Sequence, residues 1–220
     1  MPENEDLCMH LASECNIQTA KHSLIKLPSG NLAYITQRFD REKDGKIGSE
    51  DLCQLTETLT EHKYRGSYEK TGTVICKYSS QPGFDALNYF ELILFSFMVG
   101  NGDMHLKNFS MLEKLDGSFT LSPAYDLLST FLVIDNEDEQ LSLTINGKKN
   151  KIKLKDFDML AKSLSINEKQ KEYIYQKFIK KEKQIAWWIE HSFLPNDQKE
   201  KLQNLIDSRL KIFNIQLPIK

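Results

Sequence analysis

The 220-residue sequence predicts an α+β fold in which a small unit of helix and hairpin precedes a mostly helical part. Residues 1–41 combine helical spacing of apolar residues with a hairpin pattern. Residues 84–99 are apolar on most sides, as in a buried central helix. From residue 156 onward the pattern is helical. We therefore predict two parts, 1–41 and 42–220.

Composition and charge exclude several classes of protein. A formal net charge of -2 provides no electrostatic basis for general nucleic-acid binding. No apolar run reaches the roughly 20 residues that span a bilayer, and no basic-then-apolar secretory signal begins the sequence. The four cysteines lack metal-ligand spacing and are predicted to be free thiols. We expect a cytoplasmic protein without direct nucleic-acid or membrane partners; export without a cleavable signal stays open.

The N-terminal elements follow from caps and turns. Asn4 is predicted to cap a helix that ends near residue 16. Residues 23–27 and 32–39 are predicted to form a hairpin, because a Pro-Ser-Gly turn separates them. A polar loop over 40–49 then leads to a predicted helix over 50–60, capped by Ser49.

The rest of the chain is predicted in the same way. A polar, aromatic and irregular stretch covers 63–70, and helices are predicted over 71–78 and 84–99. Two hairpins are predicted from Asp-Gly and Asn-Gly turns, with strands at 109–112 and 118–121, then 141–145 and 151–154. The final helices are predicted over 156–163, 167–191 and 196–213, with Pro195 separating the last two.

A candidate catalytic segment begins where the apolar helix is predicted to end. Residues 100–110 are Gly-Asn-Gly-Asp-Met-His-Leu-Lys-Asn-Phe-Ser. Asp103 and Asn108 have the spacing by which a kinase catalytic loop supplies an acid for the attacking hydroxyl and an amide for Mg²⁺. His105 and Lys107 would place donors or positive charge beside the transferring phosphoryl group.

A second segment, 121–126, is Leu-Ser-Pro-Ala-Tyr-Asp and ends in another acid. Asp126 is the predicted second Mg²⁺ ligand, since Mg²⁺ prefers oxygen donors and takes few from protein. The predicted hairpin between Asn108 and Asp126 would hold the two side by side. An isolated Asp and Asn in a Gly-rich loop also occur in ordinary turns, but the combination of loop, hairpin and Pro-marked turn favours a kinase.

Both segments resemble the HipA family of bacterial toxin kinases, and lean toward its short HipT members. Residues 50–55 and 63–70 are also similar to that family. The resemblance implies a protein-kinase-like fold, ATP and Mg²⁺ as cofactors, and transfer of phosphate to a serine or threonine of a protein. It further implies an aminoacyl-tRNA synthetase as the substrate and an antitoxin protein as a partner.

The resemblance also implies roles for individual residues. Asp103 matches the catalytic acid, and Asn108 and Asp126 match the metal-binding pair. Gln37 and Phe39 fall in the hinge that contacts adenine, with Gln37 replacing a Glu. His105 stands where common protein kinases carry a Lys.

The family carries a Gly-rich phosphate loop and an ATP-binding Lys upstream of the segment that matches residues 1–16. Residues 1–41 are therefore expected to be a remnant of the N-lobe. Glu5, on the first predicted helix, is the candidate partner of such a Lys. The alternative function is a kinase-like lobe that docks a partner without transferring phosphate.

A third hypothesis comes from residues 40–51, which resemble an EF-hand calcium loop. Asp40, Glu42 and Asp44 take loop positions one, three and five, and Gly45 takes position six. Position twelve is Asp51 instead of the usual bidentate Glu, and the preceding residues alternate like a strand. A polar loop is the competing interpretation.

Overall fold

The computed structural model describes residues 1–43, 45–134 and 139–213. The first part consists of α1 (Pro2–Glu14) and the antiparallel hairpin of β1 (His22–Lys26) and β2 (Leu32–Thr36). A small hairpin follows, made of β3 (Arg41–Glu42) and β4 (Gly45–Lys46). The predicted hairpin over 23–27 and 32–39 is thus confirmed, with slightly shorter strands. The boundary between parts at residues 41 and 42 stays a prediction.

Helix α1 begins earlier than predicted. It begins at Pro2, which suits a first turn because its missing N–H needs no partner there. Asn4 is therefore inside the helix and does not cap it, so that prediction was wrong. Its buried side chain instead donates to Ser129 O (2.9 Å) and accepts from Ser129 N (2.9 Å).

The helix predicted over 50–60 is also wrong. Residues 48–51 form strand β5 (Gly48–Asp51), and only α2 (Leu52–Leu55) is helical. Asp51, not Ser49, caps α2 and forms a capping box with Gln54. Strand β5 pairs antiparallel with β6 (Ser110–Glu113), which pairs with β7 (Phe119–Leu121). Pairing with β6, which is distant in sequence, thus makes residues 48–51 a strand instead of the start of a helix.

Helices α3 (Tyr68–Tyr78) and α4 (Pro82–Val99) lead to the candidate catalytic segment. The central position predicted for α4 is confirmed, since Phe90, Phe95 and Phe97 have no exposed surface. Gly100 ends α4 at φ +73°. A Cβ there would lie 2.6 Å from Leu205 and 2.9 Å from Phe131, so both the backbone and the packing require glycine.

Four helices complete the described chain: α5 (Leu154–Ser163), α6 (Glu168–Lys180), α7 (Glu182–His191) and α8 (Asn196–Phe213). The single helix predicted over 167–191 is wrong, because the chain turns at Lys181. The side chain of Lys181 bonds Glu14 of α1 (2.8 Å), so α7 packs on α1. Asn167 caps α6, since its side chain accepts from Gln170 N (3.0 Å).

The hairpin predicted over 141–154 is wrong as well. An isolated bridge joins Ile145 to Lys148, and no strand is assigned to that segment among the described residues. The buried Asp156 carboxylate holds it by accepting from Asn146 and Lys148 side chains (both 2.8 Å) and from Lys153 N (2.9 Å). These bonds add to the few backbone hydrogen bonds of the segment, such as the two that join Ile145 and Lys148.

All four cysteines are free, as predicted: Cys8, Cys15 and Cys53 are buried and Cys76 is half-buried. Burial raises the pKa of the Cys8 and Cys15 thiols to about 12, which keeps them protonated and unreactive. No helix in the described ranges is long and apolar enough to cross a membrane.

Candidate active site

The loop after α4 is held from behind by the segment around Thr130. The Thr130 hydroxyl donates to Gly100 O (3.1 Å) and accepts from Gly102 N (2.8 Å). Asp103 N donates to the side chain of Asn101, which closes a tight turn (3.0 Å). These bonds fix the backbone immediately before the Asp103 carboxylate.

Strands β6 and β7 bring Asn108 and Asp126 to the same end of a hairpin. Ser122 N donates to Ser110 O (2.8 Å), which extends the pairing toward both residues. The Tyr125 hydroxyl donates to Lys107 O (2.7 Å) and bonds the Ser110 hydroxyl (2.7 Å). The chain before Asp126 is thereby tied to the chain around Asn108.

Helix α1 and the segment after it support Asp126 from the other side. Ala124 N donates to Gln18 O and Ala20 N donates to Ala124 O, both at 2.8 Å. Together with the two bonds of Asn4 to Ser129, they hold Asp126 between two anchored points. Its φ of +56° is in the left-handed region, which Asp tolerates better than most residues but which still carries strain.

The carboxylates of Asp103 and Asp126 lie close enough to act on each other. Asp126 keeps an accessible surface, but its neighbours displace enough water to raise the pKa of its carboxyl, and the charge of Asp103 raises it further. His105, and then a side-chain hydrogen bond from Asn108, act in the opposite direction. The structure thus brings Asp103, Asn108 and Asp126 together.

Asp103 is partly open to solvent, with 37% of its side chain exposed. One of its oxygens accepts a hydrogen bond from the hydroxyl of Tyr64 (2.6 Å). Its backbone carbonyl accepts from the side-chain amide of Asn108 (3.3 Å). The carboxylate is therefore oriented and keeps an oxygen for a second partner.

His105 forms the buried floor of the cluster, with 4% of its surface exposed. Its Nε2 lies 4.0 Å from Asp103, and the ring meets Tyr64 edge-on at 5.0 Å. Burial lowers the pKa of this imidazole, although the Asp103 charge opposes the shift. A neutral His105 near pH 7 would supply a hydrogen bond instead of a fixed positive charge.

Lys107 does not join this cluster. Its ammonium pairs with Asp51 at 3.6 Å, next to the start of α2. The expectation that Lys107 places charge beside the phosphoryl group therefore has no support from this arrangement. The side chain instead connects the catalytic segment to β5.

Phe39 and Gln37 lie at the edge of the site. The Phe39 ring packs against Tyr125 with centroids 5.2 Å apart, so it stands next to Asp126. Gln37 is exposed after β2, and its backbone N donates to Lys21 O (2.7 Å). Adenine contact by these residues stays a prediction.

Glu5 of α1 also faces the cluster. Burial, followed by the nearby charge of Asp126, raises the pKa of the Glu5 carboxyl to about 7. The sequence singled out this residue as the candidate partner of an upstream Lys, and the fold places it beside Asp126.

Two residues of the cluster were missed as site residues from the sequence. Lys63 supplies a positive charge that acts on both His105 and Asp126. Tyr64 bonds Asp103, and the Lys63 ammonium lies 4.9 Å from the centre of its ring. The sequence offered one indication of their role: both lie in residues 63–70, a segment that resembles the family although it shows no periodicity.

The cluster has the donors that Mg²⁺ requires. Asp126 offers a carboxylate, and Asn108 uses its amide nitrogen for hydrogen bonds, which leaves the amide oxygen for a metal. Three acids act here, Asp103, Asp126 and Glu5; burial first and their mutual repulsion second raise the pKa values of Glu5 and Asp126, and a divalent cation would relieve that repulsion. The residues present therefore fit the ion.

The calcium-like segment has a different geometry. Strands β3 and β4 pair residues 41–42 with 45–46, and β5 follows, so the structure shows no helix–loop–helix at the residues described there. The Asp40 carboxylate already accepts from Arg38 (2.6 Å) and Arg41 (2.6 Å). Bonding to Arg38 lowers the pKa of Asp40 despite some desolvation. Asp44 lies outside the described residues.

Solved structures share the fold of this chain. The fold is a kinase-like α+β fold: HipA of Shewanella oneidensis, solved with HipB and operator DNA, matches with a TM-score of 0.76 at 19% identity. The match covers 96% of this chain and 54% of HipA. CtkA, a proinflammatory kinase of Helicobacter pylori, matches with a TM-score of 0.68 at 16% identity, covering 96% of this chain and 81% of CtkA.

The chain belongs to the HipA-like C-terminal domain family, whose model matches residues 1–187. "Putative kinase Y4dM" of Sinorhizobium fredii is 35% identical over 150 residues, which are 63% of this chain and 36% of that protein. "Putative kinase Y4mE" of the same species is 31% identical over 137 residues, or 58% and 32% of the two chains. This chain thus matches about a third of the length of these relatives.

Proposed function

We propose that the chain carries the catalytic loop and metal-binding pair of an ATP- and Mg²⁺-dependent serine/threonine protein kinase. The observation that carries the proposal is the convergence of Asp103 and Asp126, with the Asn108 side chain bonded to the backbone carbonyl of Asp103 and close enough to Asp126 to lower the pKa of its carboxyl. Membership in the HipA-like family and the kinase-like fold support it. Assignment to the HipT subgroup rests on the resemblance of the motifs.

Asp103 orients the substrate hydroxyl and accepts its proton. Its side chain is 37% exposed, and the hydrogen bond from Tyr64 fixes its rotamer. Because Tyr64 is itself exposed, a substrate hydroxyl can approach the second oxygen without displacing a buried group.

Asn108 and Asp126 hold Mg²⁺ through one amide and one carboxylate oxygen. The bound ion supplies charge neutralisation at the phosphates. Behind them, His105 is buried where its ring orients Asp103, and Lys63 contributes the nearby positive charge. Phe39, packed on Tyr125, and Gln37 lie on the side proposed for adenine.

The substrate and partner are proposed by resemblance. A serine or threonine of a protein, expected in an aminoacyl-tRNA synthetase, is the acceptor. The solved HipA is accompanied by HipB and operator DNA, which supports an antitoxin protein as partner of this chain. The cytoplasmic location and the absence of direct nucleic-acid contact stay predictions.

Transfer of ³²P from labelled ATP tests the proposal. The 220-residue chain and a version extended upstream in its gene are each assayed with Mg²⁺ and a protein acceptor. Labelled phosphoserine or phosphothreonine is expected, and Asp103→Ala should lower the rate about 10²–10⁴-fold, as for loss of a general base. Asp116→Ala, in the exposed β6–β7 turn, is the matched control and should leave the rate unchanged.

The competing function is a kinase-like lobe that docks a partner without catalysis. This alternative is supported if neither version transfers phosphate and neither binds Mg-ATP in calorimetry. Transfer that survives Asp103→Ala would also contradict the proposed role of this residue.

A further inference from the structure

A second polar cluster lies between α1 and β1 and takes no part in the proposed kinase site. Asp6 and His10 stand four residues apart on α1, and His22 begins β1. One ligand atom from each lies within 4.8 Å of the other two. Helix and strand together thus present two imidazoles and one carboxylate to a common point.

His22 is arranged as a metal-binding histidine. Its Nδ1 lies 3.1 Å from Ala20 O, and because a carbonyl only accepts, Nδ1 carries the proton. The lone pair is therefore on Nε2, which is buried and has no hydrogen-bond partner within the described chain. A backbone carbonyl on the far nitrogen is the usual support of a metal-ligating imidazole.

Asp6 contributes a buried carboxylate oxygen. The residue is only 9% exposed, and its Oδ1 is buried without a hydrogen bond from any described residue. A buried carboxylate oxygen without a donor is costly, and a cation is the partner that satisfies it best. This oxygen points toward His10, whose Nε2 is 3.6 Å away.

The His10 ring is held in place by aromatic neighbours. It stacks on Trp188 of α7 with centroids 4.6 Å apart, and meets the His22 ring edge-on at 4.7 Å. Trp188 is itself fixed, since its Nε1 donates to Glu14 (3.3 Å). Three elements, α1, β1 and α7, therefore determine the geometry of the cluster.

We propose that Asp6, His10 and His22 bind a divalent transition metal, for which Zn²⁺ is the best fit. Two imidazoles and one carboxylate are a ligand set typical of Zn²⁺, whereas Mg²⁺ prefers oxygen alone. Bond lengths of about 2.0–2.1 Å place tetrahedral ligand atoms about 3.4 Å apart. The observed 3.6 Å matches this separation, and even a pair at the 4.8 Å limit would have to close by only about 1.4 Å, which small ring movements provide.

A metal here would clamp the first hairpin to α1. Asp6 follows Glu5, the α1 residue that faces Asp126, so the clamp would fix the helix that borders the kinase cluster. The site has its own ligands and does not depend on the proposed phosphoryl transfer.

Competition with a chromophoric Zn²⁺ chelator tests the site on the chelator-treated 220-residue chain. One equivalent of Zn²⁺ is expected to bind and to resist an excess of Mg²⁺. Asp6→Asn and His22→Gln should each weaken binding about 100-fold or more, since each removes one of three ligands. The control His191→Gln removes an exposed histidine, and Asp126→Asn removes a kinase-cluster acid; both should bind as the unaltered chain does.

Co²⁺ spectra and thermal unfolding provide two further measurements that do not use the chelator. Co²⁺ bound to the unaltered chain should show the intense visible bands of a four-coordinate site, and Zn²⁺ should raise its Tm. Asp6→Asn, which keeps the side-chain shape, should lose both effects. No Zn²⁺ binding by the unaltered chain, equal binding by Asp6→Asn, or loss of binding in Asp126→Asn would overturn the proposal.

Discussion

Two acidic segments of the chain resemble known ion-binding loops, but their carboxylates have opposite surroundings in the fold. In the hairpin segment, residues 40–51, Asp40 is bonded to Arg38 and Arg41. Asp51 caps α2 and pairs with Lys107. In the kinase segment, Asp103 and Asp126 face each other instead. A carboxylate in such a motif is therefore available to a metal ion only where the protein's own Arg and Lys side chains do not already pair with it.

The pKa shifts record the same difference. The pKa of Asp40 is lowered, first by its hydrogen bond to Arg38. The pKa of Asp126 is raised by desolvation and by Asp103. Two arginines neutralise the charge of Asp40, whereas Asp126 faces another acid and would gain from a divalent ion.

The largest expected effect is on phosphoryl transfer. Asp126→Asn keeps the side-chain shape but removes a proposed metal-binding charge, so the transfer rate should fall at least about 10²–10³-fold. Asp40→Asn, the matched change in the hairpin segment, should leave the rate nearly unchanged. Rates are measured with labelled ATP over a Mg²⁺ series; equal losses in the two variants would remove the distinction between the segments.

The next effect is on stability, because the two segments are held differently. Asn4→Ala would leave the N–H and C=O of the fully buried Ser129 without partners, at a cost on the order of 3 kcal/mol. Gln54→Ala removes the one hydrogen bond that its side chain accepts, from Asp51 N in the exposed cap of α2, and should cost less than about 1 kcal/mol. Urea unfolding of both variants measures the difference, and a larger loss in Gln54→Ala would contradict it.

Local patterns predicted much of the kinase segment, because its information is contained in short spacings. Asp103, Asn108 and Asp126 were found from two motifs, and the hairpin between them from an Asp-Gly turn. The side chains that complete the cluster were not. Lys63 and Tyr64 reach it only through tertiary packing, and Lys107 leaves it because Asp51 is nearby in the fold.

The hairpin segment was harder to predict for the same reason. Residues 48–51 form a strand because β6, sixty residues away, offers a backbone edge. Their own residues show no alternation of apolar and polar side chains that would predict a strand. Likewise, the buried Asp156 carboxylate binds the side chains of Asn146 and Lys148, a contact that no local pattern in 141–154 predicts. Predicted elements failed where a distant partner competed with the local preference.

A third effect concerns pH. The folded chain holds the proton of Glu5 up to about pH 7, whereas an unfolded Glu releases it near 4.5. Between these values the folded state binds more protons, so the contribution of Glu5 to stability falls as pH rises. For Asp40, with its lowered pKa, the contribution is present above the ordinary value of 3.8 and is lost as pH falls below it.

Stability measured in urea across pH 3–8 separates these signs, a range set by the two pKa shifts. Glu5→Gln should flatten the decline between about 4.5 and 7, and Asp40→Asn should alter only the acidic end. Carboxyl NMR adds a sharper test, since Mg²⁺ should lower the pKa of Glu5 and Asp126 and leave that of Asp40 unchanged. A Mg²⁺ response at Asp40 would contradict the assignment.

The smallest expected effect is that of calcium on the hairpin segment. Because Asp40 is already paired with two arginines, calorimetry should show no saturable micromolar Ca²⁺ binding that depends on it. Asp40→Asn should change the free energy of unfolding by less than about 1 kcal/mol, as is usual for exposed ion pairs. Micromolar heat that disappears in this variant would restore the calcium hypothesis.

The left-handed backbone of Asp126 has a consequence for how the sequence can change. Glycine would relax residue 126 by about 1 kcal/mol but would delete the carboxylate. Laboratory selection for heat resistance alone should therefore enrich Gly or Asn at this codon, while selection for phosphoryl transfer should retain Asp. Divergence of the two pools at this one codon would separate what the backbone favours from what the chemistry demands.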